Sequence, residues 1–201
     1  MESPISRGFF GKRSRPDPSR VPPGQYVTQD FPVLSAGPTP HVDLDAWTLS
    51  VEGEVDRPAT YSWQELQALP HETVTTDIHC VTKWTKFDTL WTGVSLDTLL
   101  EQAPTEAEYL TAYSDGGYTT NLALEDVTGG KAWIAYRYES EPLEPEHGGP
   151  VRLLVPHLYF WKSAKWVRGI TFTEHDEPGF WEAAGYHNHG DPWLEQRYWG
   201  D

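Results

Sequence analysis

The chain predicts a β-rich single domain with few long helices. Seventeen prolines and seventeen glycines in 201 residues mark many turns. Ten tryptophans and ten tyrosines, spread from Tyr26 to Trp199, supply apolar area along the whole length. The length suits one domain with a real core.

In chain order, residues 1–24 are basic and Pro-rich, ending in Val21-Pro22-Pro23-Gly24, and read as a flexible arm or extended strap. Residues 25–201 then form the domain. Gln25 to Thr39 is Pro-punctuated extended loop. Trp47 to Val51 alternates apolar and polar as a half-buried strand does, and Glu52-Gly53 turns it. Ser62-Trp63-Gln64-Glu65 matches a capping box, with a short helix to Ala68 stopped at Pro70. Val74 to Ile78 is a strand that carries the chain into Cys80. Ser95 can cap a second helix with Leu96, Leu99 and Leu100 on one face. Further strands are expected at Tyr109–Tyr113, Trp133–Tyr138, Val151–Val155 and Val167–Phe172, with Asp115-Gly116-Gly117 as a turn. The tail from Glu174 to Asp201 is aromatic and polar without periodicity, which suits a segment that wraps the outside or covers a site.

A formal charge of −15 argues against nucleic acid or an acidic membrane surface as a partner. The acidic excess fits high-salt solubility and an ordinary acidic cytosolic protein equally. No apolar run approaches the roughly 18 residues of a membrane span. The basic start, Arg7 to Arg15, has no apolar stretch after it and no twin arginine, so the expected location is the cytoplasm.

Two stretches carry chemistry. Thr76 to Trp84 holds the single cysteine, Cys80, directly after His79 and just ahead of Lys83 and Lys86. Nearby cations favour the thiolate, the form that attacks or binds metal. A lone cysteine is equally a small buried hydrophobe, and local sequence does not decide. About seventy residues on, His147-Gly148-Gly149-Pro150-Val151-Arg152 leads into Leu153 to Trp166. The glycines let backbone approach a ligand closely, and Arg152 can make forked hydrogen bonds to an oxyanion. Ser163 and Lys165 with the amides between them could cradle a phosphate, or could be an ordinary turn with solvated lysines.

Taken together, a lone Cys after a strand, His-Gly-Gly-Pro-Val-Arg-Leu-Leu-Val-Pro and Trp-Lys-Ser-Ala-Lys-Trp resemble the molybdenum-cofactor domain of the sulfite oxidase family. The likeness runs from about Tyr26 to about Trp199 and is greatest to short bacterial and archaeal members and to the catalytic subunit of methionine-sulfoxide reductase. It implies an α+β domain, mostly mixed β-sheets with short helices, that binds molybdenum through one pyranopterin dithiolene. By the same resemblance Cys80 is the molybdenum ligand, a soft thiolate suited to such a centre. His147 and Arg152 contact the pterin and its phosphate, while Ser163, Ala164 and Lys165 close over the phosphate. Ser114 falls near another cofactor contact, with Asp115 nearly as good. Gln29 and Asp30, within Thr28 to Phe31, fall where the family places its first pterin contacts, although the residue types match poorly.

Where the family's sulfite oxidases carry arginines, this chain has Thr28 and Thr85. Lys83 remains as a catalytic-side cation, beside Trp84 and Lys86. A pocket with no forked donor is poorly shaped for sulfite. Tyr186 lies near the family's active-site tyrosine and is a substrate-side candidate. With no Cys-x-x-Cys-His motif and one cysteine, electrons are expected to be exchanged with a separate partner.

Other histidines are set aside on chemistry. His187, His189 and Asp191 offer too few ligands for a structural zinc. Alternation sends His79 to the face opposite Cys80, where packing or hydrogen bonding suits it better than base catalysis. The expected activity is therefore oxygen-atom transfer, or reduction of an S-oxide, N-oxide or sulfite-like small substrate, at a Cys-ligated oxo-molybdenum centre. A module that binds the pterin without turnover and a Cys-based hydrolase are the alternatives.

Overall fold

The computed structural model describes residues 17–201. Of the arm expected at 1–24, residues 1–16 lie outside the described residues. Residues 17–24 lie against the body as a largely exposed strap, the second of the two forms expected. Asp17 caps a 3-10 turn at Pro18–Arg20, and the Arg20 guanidinium meets Asp77 at 2.5 Å and Asp88 at 2.6 Å. Both pairs are partly exposed, so they fix position more than they add stability.

Two mixed sheets form the domain, joined by short helices and 3-10 turns. One is a five-stranded sheet in the order β3 (Ala59–Ser62), β2 (Thr48–Gly53), β11 (Val167–Thr173), β6 (Tyr109–Ser114), β7 (Thr119–Ala123). The other has six strands along the path β1 (Tyr26–Val27), β5 (Trp84–Ser95), β8 (Trp133–Tyr138), β10 (Arg152–Leu154). Beside that path β4 (Glu72–His79) pairs with β5 and β9 (Glu141–Pro142) with β8. Only β1 with β5 and β2 with β11 run parallel among these pairings; the others are antiparallel. The expected α+β class, mostly sheet with short helices, is what the chain adopts.

The helices form where their caps predict. Ser62 starts α1 (Trp63–Ala68) with a full capping box: its side chain accepts from the Glu65 amide while Glu65 reaches back to the Ser62 amide, an arrangement worth about 1 kcal/mol. Ser95 caps α2 (Leu96–Gln102) by accepting from the Thr98 amide. Their apolar residues Leu66, Leu96 and Leu99 enter the main core with Trp47, Leu49 and Val51 of β2. A second cluster, built on Ile78, Cys80, Trp84, Trp91, Leu154 and Phe160, lies under the six-stranded sheet and next to the site described below.

The longest strand, β5, was not expected. Its period-2 signal is broken at Asp88, which sits at φ +54° beside a register shift in the β4–β5 ladder. Likewise β7 hides because Thr120 and Asn121 are buried although polar.

Those two residues belong to a buried polar network that holds down the tail. Lys162 and Glu182 pair at 2.6 Å with side chains 1% exposed. Lys162 also donates to the Asn121 carbonyl and its side-chain oxygen, and Glu182 accepts from Trp161 and Thr120. Glu182 lies on α3 (Phe180–Ala183), so this network anchors the tail to the body.

A second anchor is Asp126, flanked by His157 and His189 at 3.2 and 3.1 Å. Burial pushes the Asp126 carboxyl up, but the hydrogen bonds from both imidazoles outweigh it and hold the pKa well below the usual range. The bond to Asp126 raises the pKa of His189. Stability from the depressed carboxylate is lost as pH falls through its folded pKa, and stability from the raised imidazole is lost as pH rises through its own. In denaturation curves, wild type should therefore exceed Asp126→Asn most between the ordinary carboxylate and imidazole values, about pH 4 to 6.5. A stability difference that does not vary with pH would show that the anchor is not ionic.

Candidate active site

Cys80 directly follows β4 and opens a tight turn into β5. The Lys83 amide donates to the Cys80 carbonyl and the Cys80 amide to the Trp84 carbonyl, both at 2.9 Å. Lys83 takes φ +78° to close this turn, which carries its side chain out to solvent. The thiol stays inside, 7% exposed, and accepts from the Thr82 hydroxyl at 3.1 Å. Burial raises its pKa, against smaller opposing effects from Thr82 and Arg197. The lysines next in sequence do not act on it as expected.

A cavity of about 480 Å³ opens beside Cys80, a size that suits a cofactor-sized ligand. Cys80, His147, Arg152, Ser163, Ala164, Lys165 and Tyr186 all line it. The structure thus brings together seven of the residues singled out in the sequence.

Arg152 sets the electrostatics of one end. It is 1% exposed, lies over the Phe160 ring at 4.0 Å, and donates to the carbonyls of His147 and Ser163 at 2.8 and 2.6 Å. It pairs with no carboxylate among the described residues, and its Nε has no hydrogen-bond partner there. Burial pulls its pKa down to about 9. A buried cation held only by carbonyls is costly unless an anion joins it. Lys165 adds charge at the same end: its Nζ donates to the carbonyls of Leu34 and Glu146, and burial, then Arg152, lower its pKa to about 8. The Gly149 position allows no side chain, since a Cβ there would lie 2.1 Å from the Leu143 carbonyl oxygen. Ser163 also braces the frame, its hydroxyl accepting from the Val155 amide at 2.9 Å.

The floor is aromatic. Phe31 stacks on His147 with ring centroids 4.0 Å apart and planes 9° apart, and meets Trp84, Trp91, Tyr138 and Phe160 edge-on or tilted. Nδ1 of His147 is buried without a partner among the described residues. The far wall is Trp161, Trp181 and Tyr186, whose rings pack at 5.2 and 4.9 Å.

Several expectations are corrected. Gln29 and Asp30 do not line the cavity; Gln29 only receives Lys86 at its carbonyl, and Asp30 is exposed. Phe31, Pro32 and residues 34–38 take that place, because the extended chain turns Phe31 inward onto His147. Lys83 and Lys86 are also outside the lining. Ser114 is buried behind it with an unpartnered hydroxyl, and its neighbours Asp115 and Gly116 are the lining residues. His79, by contrast, does as alternation predicts: it stays out of the lining and bonds Thr85 at 2.9 Å, its pKa lowered to about 4 by burial. Sequence reasoning missed Phe31, Phe160 and Trp181 as site residues. It also missed Arg197, which donates to the carbonyls of Val81 and Pro23 and so ties the tail to the loop after Cys80. Only the aromatic density hinted at the first three.

A thiol and a buried guanidinium with no carboxylate partner among the described residues face one aromatic-floored cavity large enough for a cofactor, an arrangement that suits an anionic ligand. Comparison with known proteins makes this specific. Residues 36–181 match the family model "Oxidoreductase molybdopterin binding domain", and the chain belongs to that family. It is 48% identical over 197 residues to the uncharacterized oxidoreductase YuiH of Bacillus subtilis, covering 96% of this chain and 100% of that one. It is 26% identical to the protein-methionine-sulfoxide reductase catalytic subunit MsrP of Campylobacter jejuni, covering 72% of this chain but only 54% of that protein. Among solved structures it resembles the sulfane dehydrogenase SoxCD of Paracoccus pantotrophus, with a TM-score of 0.62 and 23% identity over 69% of this chain and 41% of that one. The cofactor of the family is molybdopterin with molybdenum, and the donor set fits it: a soft thiol for the metal, cations for the phosphate and flat rings for the pterin. No helix among the described residues is long and apolar enough to cross a membrane.

Proposed function

We propose that this oxidoreductase acts on a small, uncharged S-oxide or N-oxide, with Cys80 as the molybdenum ligand. The observation that carries this reading is that Cys80 and the unpaired, buried Arg152 line the same cavity. When bound, the molybdenum cofactor supplies two-electron oxygen-atom chemistry. Arg152 and Lys165 neutralise the phosphate, and Phe31 and His147 present a flat stacked surface to the pterin.

The substrate side follows from charge. Beyond Arg152 and Lys165, which the phosphate engages, the lining contains no other lysine or arginine; Val81 and Thr82 follow Cys80 in it, and Trp161, Trp181 and Tyr186 form its far wall. Thr28 and Thr85 do not line it either. A dianion such as sulfite finds no forked donor there, whereas a neutral S-oxide or N-oxide finds an apolar wall. Burial raises the Tyr186 pKa, so its hydroxyl stays protonated near neutral pH and can donate to a substrate oxygen. The hydrolase alternative loses its base, since His79 faces Thr85.

Elemental and pterin analysis of protein made in a cofactor-competent host should give one molybdenum and one pterin per chain; a clean absence of both rejects the reading. Turnover of a panel of S-oxides and N-oxides with a reduced viologen dye separates an enzyme from a non-catalytic pterin-binding module. Arg152→Lys keeps the charge but loses the fork, and should weaken cofactor retention by about tenfold or more, on the scale of a charge-assisted hydrogen bond. Pterin content after gel filtration measures this, and full retention would show that charge alone holds the phosphate.

A further inference from the structure

The tail places an unusual surface just outside this site. Five of the nine exposed large hydrophobic residues among the described residues lie between 174 and 201: Phe180, Trp193, Leu194, Tyr198 and Trp199. Trp199 is 88% exposed and Leu194 67%, a cost in water that a lone domain gains nothing by bearing. One residue connects this surface to the cavity. Tyr198 packs on the cavity residue Tyr186 at 5.4 Å and pairs with it backbone to backbone. Trp193 lies 6.2 Å, ring to ring, from His79 on the side of β4 turned away from the cavity, so it packs the tail on the body. From the wall outward, Trp161, Trp181, Tyr186 and Tyr198 make one continuous run of packed rings.

The surface is fixed in place. The Trp199 amide donates to the Gly185 carbonyl and the His187 amide to the Arg197 carbonyl, while Arg197 is bonded to Val81 and Pro23. It is also acidic: apart from Glu182, buried against Lys162, residues 174–201 hold six Asp and Glu to one arginine, and that arginine, Arg197, is only 8% exposed. Exposed aromatics on an acidic segment match a partner with an apolar centre and basic surroundings.

We propose that this face docks a protein electron carrier whose exposed cofactor edge is ringed by lysines or arginines. The proposal rests on the oxidoreductase reading, in which each turnover moves two electrons that the substrate's counterpart must supply or remove. A carrier seated here lies against the rings that touch the cavity wall. Two one-electron carriers, or one two-electron carrier, balance a single oxygen-atom transfer.

The test uses holo-protein reduced with dithionite, freed of excess reductant, and mixed with a ferric cationic cytochrome c as the probe. Haem reduction is followed by stopped flow. Wild type should react faster at low salt than at high salt, because the steering is electrostatic. The double variant Trp199→Ser/Leu194→Ser, two exposed positions away from the cavity lining, should react about tenfold or more slowly with cytochrome. Its reoxidation by a small neutral quinone should match wild type. Equal cytochrome rates in the two proteins, or a wild-type rate that does not fall with salt, would overturn the proposal. Sedimentation showing a dimer that the double variant loses would assign the face to a second copy of this chain and overturn it equally. Protein lacking a reducible metal defeats the oxidoreductase reading instead, and calorimetric titration with the same cytochrome then reads the surface on its own: binding lost in the double variant supports it, and no binding rejects it.

Discussion

Replacing Cys80 by serine should leave a folded protein whose oxygen-atom-transfer activity is lower by roughly 10³-fold or more, the scale seen when a central catalytic group is removed. The serine is nearly isosteric, and the Thr82 hydroxyl that donates to Sγ can donate to Oγ as well. The cost in stability is therefore about 1–2 kcal/mol, for placing a hydroxyl 7% exposed among Ile78, Trp84 and Phe160. The loss of activity comes from replacing a soft sulfur donor by a hard oxygen one. Pterin should remain, because Arg152, Lys165 and the Phe31–His147 stack are untouched. Activity and molybdenum content, measured beside thermal unfolding, separate these effects. Wild-type activity in the serine variant would remove Cys80 from the centre.

The largest effect on stability is expected at Lys162. Lys162→Met leaves Glu182 buried at 1% without its cation, and breaking a buried pair by removing one partner costs about 3–5 kcal/mol. Burial lowers the Lys162 pKa, and the paired Glu182 opposes that. Adding Glu182→Gln to the first change should recover much of the loss, since the amide can still accept from Trp161 and Thr120. Chemical denaturation of the two single variants and the double one measures the coupling directly. Additive effects would show that the two residues act separately. Because Trp161 and Trp181 stand on this network, the single variant should also lose substrate selectivity at temperatures where it is still folded.

What the sequence made legible follows the same physics. Capping residues wrote α1 and α2, and alternation wrote β2, β6, β8 and β11, since both signals are local. The strand β5 carries Cys80's turn on one end and half the six-stranded sheet on its edges, yet it was silent. Asp88 at positive φ breaks its alternation, and a neighbouring ladder shift makes room for it. At the site, the linear blocks around Cys80 and from His147 to Lys165 indicated the lining correctly because contiguous backbone carries them to one place. Lys83 was misread because adjacency to Cys80 in sequence says nothing about direction in a tight turn. Gln29 and Asp30 were misread in favour of Phe31 for a related reason: which residue of an extended segment faces in depends on what it meets, here His147. The aromatic wall from the tail depends wholly on long-range contacts, and no local pattern announces those.

The cavity draws its lining from stretches near residues 31–40, 80–84, 115–118, 147–166 and 180–186. No part of the chain short of nearly the whole domain can offer that lining, so the unfolded chain has almost no affinity for the cofactor. Thermodynamic linkage then makes the cofactor a structural element in its own right. At a free concentration a thousand times its dissociation constant it adds about 4 kcal/mol to the folded state, comparable to the whole Lys162–Glu182 pair. Molybdenum supply would thereby set how much of this protein a cell keeps, through folding and proteolysis, before it sets how fast the protein works.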